Sequence, residues 1–234
     1  MKLLLVANAA KSNMIEPLSI NLGAQLENSI QVGWDIDDII VVTNIPNLRY
    51  EDRIIEAVDL NEHCLTGSKM FGLAQIIGYQ TETIWAHDLD CWQTVPIEEP
   101  LFADVGLCNY SRPKFNGGSV FWRPWASDIV LKIIEIIEYE KSPKEEPILS
   151  RVLKLPEFQN RVTVLNSTWN VGCSGFKDRF SGAERPVKVC HFHPCNRIAW
   201  DTHVRDRNRL GSSPVPERLR NLLVKWFPCI QSHT

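Results

Sequence analysis

The sequence predicts an α/β fold with a mixed, mostly parallel central sheet flanked by helices, and three patterns carry that prediction. Residues 2 to 7 read as a strand whose residues 3 to 7 form an uninterrupted apolar run, as burial on both faces requires. An amphipathic helical stretch and a β-branched run come next, which makes strand, helix, strand. Strand-like runs then alternate with further helical periods as far as residue 192, the order expected when helices cross between strands of one sheet.

The first run, Lys2 to Ala7, resembles the opening of a secretory leader, but polar Asn8 cuts it off short of the roughly 7–15 apolar residues such a core needs. It therefore reads as a buried strand. From Ile15 to Ile30, Leu18, Leu22, Leu26 and Ile30 recur every four residues on one helical face, and Gly33 closes the helix. Ile39 to Thr43 is a β-branched strand bounded by Asp38 and Asn44. Ile54 to Leu60 reads as a short helix or irregular segment, and Ser68 to Ile77 as a helix ended by Gly78. Thr83 to His87 is a strand running into Asp88.

Ala103 to Tyr110 and Ser119 to Trp122 read as strands separated by the Arg112-Pro113-Lys114 turn and the Asn116-Gly117-Gly118 step. Pro124 precedes a helix over 127 to 140, whose apolar face holds Val130, Ile133, Ile134 and Ile137. A loop over 142 to 147, a short helix to about 154, and strands at 162 to 165 and 187 to 192 complete the body. The tail after Asp201 has one amphipathic stretch, Leu219 to Phe227, expected to pack on that body. The whole reads as a single domain over 1–234, with a first half to about residue 110, a second half over about 111–200 and a tail over 201–234.

The chain has 234 residues, 44% hydrophobic and 23% charged, which suits a folded domain with a substantial core. A formal net charge of -3 argues against a general nucleic-acid binder, which needs Lys and Arg to displace counterions from phosphates. No stretch approaches the ~20 apolar residues of a membrane span, so a cytoplasmic location is expected. Seven cysteines, Cys64, Cys91, Cys108, Cys173, Cys190, Cys195 and Cys229, are scattered and form no C-x-x-C. That pattern favours reduced thiols. Cys190-His191-x-His193-x-Cys195 offers zinc-ligand types, but on a strand residue 190 would point away from 191, 193 and 195, which makes a closed tetrahedron awkward.

Chemistry concentrates at Asp88-Leu89-Asp90, where the most apolar central strand ends. Carboxylates at i and i+2 of an extended segment project to one side and can share a divalent cation. Ligands also bind at the carboxyl ends of strands in open α/β sheets. A D-x-D pair alone is more often the mark of two solvated acids at a strand end.

Segments later in the chain separate these two readings. Asn116-Gly117-Gly118, then Glu145-Glu146-Pro147-Ile148-Leu149, then His191-Phe192-His193-Pro194-Cys195-Asn196-Arg197 with Trp200 behind it, succeed one another. In order and spacing this set resembles the glycogenin-like group of GT-A glycosyltransferases. There a strand ends in D-x-D, an N-x-G segment lines the sugar pocket, a D-Q-D-like segment comes next, and a late strand ends in H-F-x-G-x-x-K-P-W. The chain departs from that pattern with proline for the late glycine, arginine for the lysine, and two glutamates and a proline for D-Q-D.

The resemblance implies a GT-A, Rossmann-like fold and transfer of a sugar from a nucleotide-diphosphate donor, a UDP-sugar first among them, to a saccharide or glycan acceptor. It implies Mn²⁺, or Mg²⁺, held by Asp88, Asp90 and His191, with Asp88 also near the ribose. Asn8 would face the base, Arg197 the diphosphate, and Asn116, Gly117 and Gly118 the sugar, with Lys69 as a basic donor-binding residue. Glu145 or Glu146 would be the carboxylate at the reacting centre. Trp122, Trp169, Asn170 and Trp200 are candidates for the acceptor pocket, because sugars stack on aromatic faces. Two alternatives stand beside this reading: a D-x-D phosphatase using the leading Asp as nucleophile, and a sugar-nucleotide-binding module without turnover.

Overall fold

The computed structural model describes residues 1–50, 53–54, 60, 68–96, 98–109, 114–142, 144–172, 182–195 and 215–229, with residues 50, 53 and 54 described by backbone alone. Its strands are β1 (Lys2–Ala7), β2 (Ile39–Thr43), β3 (Arg49–Tyr50), β4 (Arg53–Ile54), β5 (Ile84–His87), β6 (Cys91–Gln93), β7 (Val105–Asn109), β8 (Phe115–Trp122), β9 (Val162–Leu165), β10 (Val171–Gly172) and β11 (Val189–His191). The helices are α1 (Ile15–Gln31), α2 (Ser68–Ile77), α3 (Ser127–Glu140), α4 (Glu145–Val152) and α5 (Glu217–Trp226).

The main sheet has the order β2-β1-β5-β8-β7-β9. β1 is parallel to both β2 and β5, and β7 is parallel to β9, whereas β8 runs antiparallel to β5 and β7. The continuous apolar run of β1 reflects burial on both faces. Leu4 and Val6 pack with Met70 and Leu73 of α2, Ile129 and Ile133 of α3 and Ile148 of α4. Leu3 and Leu5 pack with Leu22 and Leu26 of α1 on the other side. A second sheet, β10-β11-β6, rests on a third cluster built around Trp92, Phe192 and Leu219, Leu222 and Leu223 of α5.

Three local expectations change. Asn116, Gly117 and Gly118 lie inside β8, and the pairing with β7 jumps from Leu107–Val120 to Cys108–Asn116. The glycines therefore form a bulge, which re-aims the strand without ending it. Glu145 and Glu146 open α4, where acidic residues favour the helix dipole, and so lie in a helix where a loop was expected. The expectation of reduced thiols fails for one pair: Cys195 and Cys229 form a disulfide. The segment over 55 to 59 and the turn over 110 to 113 lie outside the described residues.

Candidate active site and metal centre

The D-x-D motif occupies a tight turn, because the Cys91 amide donates to the Asp88 carbonyl at 3.0 Å and the chain reverses into β6. The carboxylates converge through this turn and not through extended i, i+2 geometry. Asp88 N donates to Gly118 O at 2.8 Å, and Phe192 N donates to Asp90 O at 2.9 Å. From α1, buried Gln25 donates its amide to Leu89 O at 3.1 Å and Cys91 O at 2.8 Å. The turn is thus fastened to β8, to the strand carrying His191 and to α1.

His191 ends β11 with Nε2 at 3.2 Å from Asp90 Oδ1 and 3.9 Å from Asp88 Oδ2. Its Nδ1 lies 3.1 Å from Asn170 Oδ1, which fixes the ring. The ring lies against bare backbone: a Cβ on Gly118 would stand 2.3 Å from His191 Cε1. Here the lack of a side chain is a steric requirement. One donor atom from each of Asp88, Asp90, Cys91 and His191 lies within 4.8 Å of the others. Burial opposes the Asp90 charge, but His191 more than offsets it and holds the carboxyl below its ordinary value. Burial likewise opposes a charge on His191, and Cys91 and Asp90 together hold its pKa well above the usual histidine value. Positive charge is therefore favoured at this point, and two carboxylates with an imidazole form a donor set suited to a divalent cation.

Behind this cluster lies a buried ion-pair chain. Lys69, almost fully buried on α2, donates to Asp88 Oδ1 at 2.5 Å and to the Gly117 carbonyl, and stands 3.9 Å from Glu145 Oε1. Burial disfavours its charge, yet Asp88 and Glu145 outweigh burial and keep the ammonium protonated. Asp88 thus spends one oxygen on Lys69 and turns the other toward His191. Glu145 is 3% exposed, and its Oε2 has no hydrogen-bond partner. Burial, eased by Lys69 and reinforced by Asp88 and Glu146, pushes its carboxyl up to about 8. Glu146 is half-buried, 3.1 Å from Lys114 Nζ and 3.4 Å from the Gly117 amide that donates to it.

The other predicted residues fall in different places. Asn8 is buried immediately after β1, beside the Ala7–Asn44 bond that closes the end of that strand. Asn116 accepts from Gly118 N at 3.0 Å and so shapes the bulge. Trp122 and Trp169, candidates for the acceptor pocket, are buried in the core. Trp122 is wholly buried against α3, and Trp169 packs edge-on to Trp85 and Phe121. Asn170 is buried and touches His191, so it serves that ring. Arg197 and Trp200 lie outside the described residues. Sequence reasoning missed Cys91, Gln25 and the Lys69–Asp88 pair. Cys91 adjoins the D-x-D and could have been suspected; the other two depend on contacts distant in sequence.

The sequence matches no protein-family model and no curated protein. Among solved structures, the chain is similar to the galactosyltransferase LgtC in complex with donor and acceptor sugar analogues, at 16% identity and a TM-score of 0.57, covering 95% of this chain and 100% of that one. It is similar to the bifunctional glycosyltransferase WbbM at 14% identity and a TM-score of 0.54, covering 84% of this chain but only 47% of WbbM. The glycosyltransferase GlyE of Streptococcus pneumoniae matches at 12% identity and a TM-score of 0.54, with 97% of this chain and 64% of GlyE covered. The mixed six-stranded sheet flanked by helices is therefore the GT-A fold of these glycosyltransferases.

Proposed function

We propose that this chain is a glycosyltransferase that moves a sugar from a nucleotide-diphosphate donor, a UDP-sugar first, to a saccharide or glycan acceptor. The observation that carries the reading is the convergence of Asp88 and Asp90, in the turn between β5 and β6, with His191 of β11 at one point of a GT-A fold. Asp90, the second oxygen of Asp88 and His191 would hold Mn²⁺ or Mg²⁺. A cation there supplies charge for the diphosphate oxygens as the sugar bond breaks. Lys69 orients Asp88, and Asn170 orients His191. Asn8 would lie on the base side, and Asn116, Gly117 and Gly118 would present the bulged backbone of β8 to the sugar. Glu145, whose Oε1 lies beside that bulge and whose Oε2 has no hydrogen-bond partner, is the carboxyl proposed to meet the sugar, with Glu146 at its exposed side. Arg197 is proposed to bind the diphosphate, and Trp200 the acceptor.

The test is release of nucleoside diphosphate from a panel of nucleotide sugars with Mn²⁺. Chelator and Asp90→Ala should each lower turnover by at least about a hundredfold, within the range for removing charge stabilisation at a reacting centre. Full turnover under both conditions would overturn the proposal.

A further inference from the structure

Cys91 comes directly after the Asp88–Asp90 turn and is wholly buried. Its surroundings differ from those of the other reduced cysteines among the described residues. Cys108 donates its Sγ–H to Asn166 O at 3.1 Å, and Cys190 packs in the apolar cluster around Trp92 and Phe192. The Cys91 sulfur instead belongs to the group whose donor atoms, with those of Asp88, Asp90 and His191, all lie within 4.8 Å of one another. Gly118 makes this possible, since a Cβ there would stand 3.0 Å from Cys91 Sγ and 2.5 Å from His191 Nδ1. The Gln25 amide on the Cys91 carbonyl holds the residue in place. A thiol set among two carboxylates and an imidazole is ligand chemistry, because thiolate binds Co²⁺, Zn²⁺ and Cd²⁺ well and Mg²⁺ poorly.

We propose that Cys91 is a fourth protein ligand of the cation held by Asp88, Asp90 and His191, and that its sulfur biases the site toward thiophilic divalent ions. This rests on the metal reading of those three residues. On binding, the Sγ–H proton leaves to solvent and the sulfur lone pair goes to the cation.

The experiment is titration of the metal-free full chain with Co²⁺, Cd²⁺ and Mg²⁺, repeated with Cys91→Ser and Cys91→Ala, whose folding is checked by circular dichroism. Two variants are needed because a buried hydroxyl and a small void perturb the strand differently. Wild type should show a near-ultraviolet thiolate-to-cobalt charge-transfer band. Both variants should bind Co²⁺, as seen in its visible bands, without that band. Their Cd²⁺ affinity should fall more than about tenfold, the lower end of what loss of even a supporting residue costs, while Mg²⁺ affinity holds. Co²⁺ bound by wild type without the band, or a band that persists in both variants, would overturn the Cys91 assignment and leave the three-residue site standing. Absence of cation binding to wild type would overturn both.

Discussion

Glu145 carries the largest conflict between sequence and environment in the site. Its carboxyl is buried, one oxygen is unpartnered, and the nearest positive charge, Lys69, is already engaged by Asp88. A pKa pushed up to about 8 means that the folded chain holds a proton there which the unfolded chain releases near 4.5. Folding stability from this group is therefore full below about pH 4.5 and is lost as pH rises toward 8. Glu145→Gln, which cannot ionise, should stabilise the protein by a few kcal/mol at pH 8 and by little at pH 4.5. Urea denaturation of both proteins across that window measures the difference, and equal pH slopes would refute it. If Glu145 also meets the sugar, the same variant gains stability and loses turnover, the usual conflict between a strained site and its activity.

At the scale of elements, the segments with strong periodicity were legible. The strands at 2–7, 39–43 and 162–165 and the helices at 68–77 and 127–140 fall where their apolar spacing puts them. β6 and β10 did not register, because strands of two or three residues carry no pattern of their own and exist through pairing with β11, nearly a hundred residues from β6. The glycines of β8 were misplaced for a related reason: in a sequence a bulge and a turn share one composition. Most of the candidate cluster was legible, since Asp88, Asp90 and His191 are recognisable by type and order, but their supports were not. Gln25 shows this best. Nothing in a helix sequence marks a glutamine that reaches two carbonyls of a distant turn. Gln25→Leu strips both carbonyls of a buried donor and should cost roughly 1–3 kcal/mol. Because the turn carries both aspartates, Mn²⁺ affinity should fall with it in calorimetry. A variant that is less stable yet binds Mn²⁺ as wild type does would show that α1 supports the fold and not the metal centre.

For the whole molecule, the question is what holds the small sheet carrying His191 against the large sheet whose β5 leads into Asp88 and Asp90. α5 is the clamp. Its Leu219, Leu222 and Leu223 pack beneath Trp92 and Phe192. Trp226 lies so close to Gly23 of α1 that a Cβ there would meet its ring at 2.6 Å, and Trp226 Nε1 donates to Glu27 at 2.7 Å. Arg218 reaches Asn28 of α1 at 3.0 Å and the Gln93 carbonyl of β6 at 3.3 Å. The disulfide completes this arrangement by joining Cys195, four residues beyond His191, to Cys229 just after α5, across 34 residues of sequence. Closing a loop of that length restricts the unfolded chain by about 3–4 kcal/mol. For a chain of this size that corresponds to a loss of roughly 6–16 °C in Tm on reduction. Wild type heated with and without dithiothreitol should show that difference, and the double variant Cys195→Ser, Cys229→Ser should melt at the lower temperature whether or not reductant is present. Since the bond anchors the chain directly after β11, the reduced protein should also bind Mn²⁺ more weakly at temperatures well below its melting point. Equal melting temperatures in the two conditions would mean that α5 packing and the β6–β11 pairing hold the His191 layer in place without the disulfide.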